Sequence, residues 1–190
     1  MNFKWYRTTD AAAEPVIATD MEEKLSYSSG WNATTIAIDI EAARNQVEQM
    51  TDRALITQTW TGRGDYFPDV IHLPKGQVQS VTSVKYIADG DTTFTTMTVD
   101  VDYVVEINQD KARIYPKVDW PSVELDRKGV VEVVYVAGYG ATAASVPGWA
   151  KSAIMLLAGD LNTNGALKAD MAVSKILTSN KLSFDYTVND

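Results

Sequence analysis

The sequence predicts an α+β protein, and three observations carry that expectation. Helix-period stretches occupy both ends of the 190-residue chain, β-branched and aromatic residues fill the middle, and the last ten residues alternate with period two. Strands that follow one another with short turns imply an antiparallel sheet or small barrel between the helical ends.

The elements follow in order. Thr19 and Glu22 have capping-box spacing, which predicts a short helix through Met21 and Leu25. Ser28-Ser29-Gly30 then breaks it. A longer helix is predicted over residues 32–52, with Ile36, Ile40, Ala43, Val47 and Met50 at offsets of four and three. Asp39, Arg44, Asn45, Glu48 and Asp52 fall on its opposite face, so a one-sided amphipathic helix is expected.

From Ala54 to Ala137 the period changes. Ile56, Gln58 and Trp60 alternate with Thr57, Thr59 and Thr61, as in a strand. Ile71-His72-Leu73 lies between Pro68 and Pro74, which predicts a short edge segment. Val84 to Ile87 runs into Ala88-Asp89-Gly90-Asp91, and Asp-Gly is a hairpin signal. Tyr103 to Ile107 and Ala112 to Tyr115 flank residues 108–111 as a second hairpin. Val130 to Val136 is apolar apart from Glu132, as expected of a central strand.

Pro147 opens the next helix, predicted to reach about Asn162. Its apolar residues, among them Trp149, Ala150, Met155, Leu156 and Leu161, cover most of the circumference. Such a helix needs cover on most sides, which points to Trp149, Met155 and Leu156 as a subunit interface. A final helix over 169–179 sets Val173, Ile176 and Leu177 on one face. In the tail, Leu182, Phe184, Tyr186 and Val188 alternate with Ser183, Asp185, Thr187 and Asn189. A lone amphipathic strand needs something to pair with, so these four residues are the expected partner-binding set.

Composition narrows the function. The chain has 25 acidic and 17 basic residues, a net charge of −8, against a surface that grips nucleic acid. Zero cysteines and a single histidine exclude disulfides, thiol catalysis and metal sites built on cysteine or several imidazoles. The opening Met1-Asn2-Phe3-Lys4-Trp5 lacks the apolar stretch of a signal peptide. The longest apolar run, residues 153–158, is too short to span a bilayer, so no membrane partner is expected.

Four local motifs have a bland reading that outweighs the functional one. Gly138-Tyr139-Gly140-Ala141-Thr142-Ala143 fits a loose dinucleotide pattern, with Asp160 about 20 residues on. Pro147 delays the helix, however, and no apolar strand follows it, so a loop leaving the sheet is expected. Arg63-Gly64-Asp65 spells an integrin-type tripeptide but reads as a strand end. Asp89/Asp91 and Asp100/Asp102 lack the spacing of a calcium loop and read as solvated turns. His72 has no serine, cysteine or carboxylate constellation tied to it. No catalytic residue, cofactor or metal is assigned.

One ordered set of segments carries a resemblance. Arg53-Ala54-Leu55-Ile56-Thr57-Gln58-Thr59-Trp60 follows a helix containing Ala42-Ala43-Arg44 and Val47-Glu48. Ile71-His72-Leu73-Pro74-Lys75-Gly76, then residues 78–84, Tyr103-Val104-Val105, residues 133–139 and Val146-Pro147 continue the series. In this order the chain resembles the head–tail connector, or adaptor, proteins of tailed bacteriophages and gene-transfer particles, over about residues 14–162. The resemblance implies a small helical bundle with an inserted antiparallel β-rich domain and an extended C-terminal tail. The implied divisions are 1–53 for the N-terminal arm and helices, 54–140 for the β insertion, 141–180 for the C-terminal helices and 181–190 for a docking tail.

The resemblance also implies a structural role at the head–tail junction of a virion. The family forms a homo-oligomeric ring, usually of twelve copies, below the portal protein. It provides the platform for neck, stopper or tail proteins, and DNA passes through its lumen without sequence-specific binding. The rival reading is a free-standing β-rich carbohydrate-binding module using Trp31, Trp60 or Trp120. A carboxylate-based hydrolase is a third reading.

Overall fold

The computed structural model describes residues 3–25, 32–108, 111–166 and 171–182. Among the described residues, four helices and two antiparallel sheets give an α+β fold, as expected. The chain divides into two compact units. Of the described residues, a β unit takes those within 3–10 and 58–138, and a helical unit takes those within 11–57 and 139–182.

In the helical unit, α1 spans Ala18–Leu25. Asp20 Oδ2 accepts the Ile17 N–H at 2.9 Å, so the helix is closed two residues earlier than the Thr19/Glu22 spacing suggested. Helix α2 spans Ala33–Thr51, begins at the N-cap Asn32, whose side chain accepts the Thr34 N–H, and ends at Asp52 in the left-handed region. Both ends match the sequence expectation, because capping chemistry is local. Helix α3 spans Gly148–Asn164, with Pro147 just outside it as N-cap and Gly165 (φ 65°) closing it. Helix α4 spans Met171–Ser179. Ile36, Ile40, Ala43 and Val47 of α2 join Ala150, Ala153, Ile154 and Leu157 of α3, with Val173 and Leu177 of α4, in one buried cluster. Thus α2 and α3 pack together although almost a hundred residues separate them in sequence.

The polar face of α2 departs from the expectation. Asp39, Arg44 and Glu48 are buried, whereas Ile38 is 62% exposed. The helix is covered on a second side. Glu14 reaches Arg44 Nε at 2.8 Å, Glu48 Oε2 meets Arg44 Nη1 at 3.3 Å, and Asn162 of α3 donates to Asp39 at 2.9 Å. The charges stay inside because each has a partner.

In the β unit, β1 (Phe3–Thr9), β2 (Gln58–Gly64), β4 (Val78–Tyr86), β5 (Thr95–Thr96) and β8 (Val131–Ala137) form one sheet. The order is β1-β2-β8-β4-β5. A second sheet has the order β3-β7-β6, from Ile71–His72, Lys111–Pro116 and Tyr103–Asn108. The apolar segment at 130–136 is indeed central, and Ile71–His72 is indeed a two-residue edge. Val131, Val133, Tyr135 and Ala137 alternate with half-buried neighbours, so β8 is fully covered on one face only.

The N-terminus differs most from the sequence reading. Residues 3–9 are an edge strand of the β unit rather than an arm of the helices. Its rings explain two glycines. A Cβ on Gly62 would strike the Trp5 ring, and one on Gly64 would lie 2.7 Å from Phe3 Cε2. Phe3 and Trp5 stack at 5.4 Å, and Trp5 meets Tyr135 edge-on at 5.5 Å. Glycine at 62 and 64 therefore leaves room for the Trp5 and Phe3 rings to lie across β2, beside which β1 is paired.

Candidate functional site

Helix α3 supplies the residues expected at an interface, and its sequence decides which of them stay open. Alanines at 150, 153 and 158 and Gly159 let α3 approach its neighbours closely and bury Ile154 and Leu157. Trp149 and Met155 are half-buried against the bundle core. Leu156 points away and is 39% exposed. The bundle thus covers more of α3 than its all-round apolar sequence suggested, leaving Leu156 and parts of Trp149 and Met155 at the surface.

Beside Met155 lies an open groove of about 400 Å³, lined by Val16, Asp20, Glu23, Lys24 and Lys151. Its charges are of both signs. Ile17, next in sequence to Val16, is 56% exposed. This part of the helical unit is apolar at its centre and mixed in charge around it.

A feature that sequence reasoning missed lies at the end of α2. Glu48 Oε1 accepts the buried Leu55 N–H at 2.8 Å while its other oxygen holds Arg44. Arg53 donates to the Asn180 carbonyl at 2.8 Å and to the Tyr139 hydroxyl at 3.2 Å. Tyr139 N–H in turn reaches the Leu55 carbonyl at 3.1 Å. One set of side chains therefore pins residues 53–55, 139 and 180 together. The i,i+4 spacing of Arg44 and Glu48 was visible, but exposed and buried pairs share that spacing.

The expected tail residues are only partly covered. Leu182 is buried, and its N–H donates to the Thr51 carbonyl at 3.0 Å, so the tail starts from an anchored point on its own helical unit. Phe184, Tyr186 and Val188 lie outside the described residues.

The local motifs take structural places. Gly138 N–H donates to the Gln77 carbonyl, and Thr57 N–H to the Gly140 carbonyl. A short 3-10 turn at Ala143–Ser145 follows, so the glycine loop opens no α-helix at its glycines. Arg63 pairs with Glu132, and Asp65 accepts the Gly129 N–H at 2.8 Å. Asp102 accepts the Thr98 N–H at 2.7 Å and the Asp100 carbonyl accepts from Lys117, so this acidic turn ties itself together. No group of three or more potential metal ligands occurs among the described residues. No helix among them is long and apolar enough to cross a membrane. Trp120 is half-buried with one face stacked on Phe67 at 4.4 Å, Trp60 is half-buried with Lys75 over its ring, and Trp31 lies outside the described residues.

His72 sits on β3 opposite Arg113. Partial burial, and then the Arg113 charge, push its pKa below the usual 6.5. In the range between that folded value and 6.5 the unfolded chain binds more protons, so acidification through it weakens the fold slightly. A proton NMR titration of the single imidazole should show a midpoint below 6.5, returning towards it in Arg113→Gln.

The fold is that of a helical unit with an inserted antiparallel β unit, and solved structures share it over nearly the whole chain. The chain is similar to one in the neck of an empty gene transfer agent (GTA) particle computed with C6 symmetry. That match has a TM-score of 0.78 and 18% identity, covering 98% of this chain and 100% of the other. A chain in the virion of the native GTA particle matches with TM-score 0.77 and 18% identity, over 97% of this chain and 98% of that one. A chain in the neck of the native particle, computed with C12 symmetry, matches with TM-score 0.71 and 18% identity over 97% and 100%. No protein-family model and no curated protein matches.

Proposed function

We propose that this chain is a structural virion protein, a subunit of a head–tail connector (adaptor) ring with no catalytic role. The single observation that carries this reading is the fold, shared from end to end with chains of GTA necks. In the proposed assembly about twelve copies, the C12 symmetry of one such neck, form a ring below the portal protein. The ring offers the platform for the next neck or tail protein and lets DNA pass through its lumen.

The chemistry of the chain supports this reading. A net charge of −8 suits a channel that DNA must cross without sticking. Leu156 with Trp149 and Met155 supplies an apolar contact for a neighbouring copy, and the mixed charges of the groove beside Met155 suit a polar rim. The tail residues Leu182, Phe184, Tyr186 and Val188 form the proposed docking segment, with Leu182 as its anchored start.

Native mass measurement with and without a candidate portal protein tests the proposal. The expected result is a closed ring, formed alone or on the portal, that Leu156→Asp prevents while the protomer stays folded. Particles made without this protein should fill with DNA and fail to hold tails. A protein that stays monomeric with the portal present, together with normal tail attachment in its absence, would overturn the reading.

A further inference from the structure

Among the described residues two sheets present four edges, and three are blunted in ways that discourage further pairing. Edge strand β1 carries Lys4 and Arg7 and a register shift between Arg7 and Thr9. β3 has two residues, with Pro74 close behind, and β5 also has two. The fourth edge is different. β6 is six residues long, Tyr-Val-Val-Glu-Ile-Asn, with no proline and no lysine.

The backbone of β6 is poised to accept a strand. The Tyr103 carbonyl takes the Asp100 N–H, so at Tyr103 the main chain points away from β7. With the two-residue alternation of an antiparallel ladder, Val105 and Ile107 also direct N–H and C=O outward. Among the described residues nothing pairs with them. The side chains repeat the message. Across the sheet, Ile71, Ile114 and Val105 share one row, with exposures of 1%, 0% and intermediate. Leu73 N–H bonds to Ala112, which pairs with Ile107, and along that row exposure runs from 0% and 2% to 45%. The apolar face is closed at β3, at β7 and at Tyr103, and it opens along β6 from Val105 to Ile107.

We infer that the open edge of β6 is an acceptor for the C-terminal segment of a second copy of this chain, residues 183–190, added as a fourth strand. The pattern of the segment fits the gap. Phe184, Tyr186 and Val188 alternate with polar residues, so one face covers Val105 and Ile107 while the other meets water. Eight residues follow the anchored Leu182, about 26 Å when extended, against about 17 Å for Val104–Asn108. A head-to-tail ring gives every copy one donor and one acceptor, so no edge is left over. The choice of a second copy rests on the ring reading proposed above.

The absence of native cysteine makes the test clean. Full-length Ile107→Cys is mixed with full-length Tyr186→Cys or Val188→Cys under mild oxidation and run without reductant. Linked pairs of chains are expected with one of the two donors and not with the control acceptor Val118→Cys, although Val118 is 85% exposed. Val105→Pro should abolish the link in the Ile107→Cys background with unchanged circular dichroism, because its N–H faces outward and not β7. Rings that form without any link would overturn this inference alone, whereas monomers without links would overturn the ring reading with it. A chain carrying both cysteines that closes on itself, even when diluted with cysteine-free protein, would overturn the second-copy assignment.

Discussion

Glu48→Ala is expected to destabilise the helical unit by about 3–5 kcal/mol, the usual cost of breaking a buried ion pair from one side. The substitution removes two interactions at once. Arg44 is 2% exposed and would keep Glu14, itself only partly buried, as its carboxylate partner across the cluster. The Leu55 N–H, now bonded to Glu48 at 2.8 Å, would lose its acceptor in a buried setting. Arg44→Met combined with Glu48→Leu should lose less than Glu48→Ala, since both buried charges then go together and the carboxylate left over, Glu14, is partly exposed to water. Urea unfolding of the three proteins measures this. A double substitution as damaging as Glu48→Ala would mean that the Leu55 contact, and not the ion pair, sets the cost.

The second large effect concerns the contact between α2 and α3. Leu157 is 1% exposed in the cluster that contains Ile40, Val47 and Ile154. Leu157→Ala removes three buried carbons, and the close-packed alanines around it give little room for collapse. A loss of roughly 2–5 kcal/mol is expected. Leu156→Ala, one position along the same helix, should change protomer stability by less than about 1 kcal/mol, since Leu156 is 39% exposed. Paired denaturation curves check both. Equal losses at the two positions would contradict the assigned faces of α3.

The Leu156 and Leu157 pair shows where sequence reading stops. Both are leucines in a helix apolar on most of its circumference, so periodicity marked the helix but not its covered side. Burial of Leu157 depends on Ile40 and Val47, more than a hundred residues earlier. For the candidate site, the sequence pointed to Trp149, Met155 and Leu156 as one group, and the fold then divided them by exposure. The open β6 edge was not legible at all: its hairpin with β7 was, but an edge is defined by which strand is missing beside it.

Much of the local structure was already legible in the sequence. Asn32 and the residues after it set the start of α2, and the run at 130–136 announced the central strand. Residues 103–116 formed the expected hairpin, because caps, turns and periods act over a few neighbouring residues. The partition into helical ends and a β-rich middle follows from the same local chemistry. Tertiary structure alone decided that Phe3–Thr9 pairs with β2, where Gly62 and Gly64, some sixty residues away, make room for its rings. It alone put Arg44 and Glu48 inside, where an i,i+4 pair of this kind more often faces water. Pairing across such separations requires a loop to close and two surfaces to match, and neither the closure nor the match is written in any short stretch of chain.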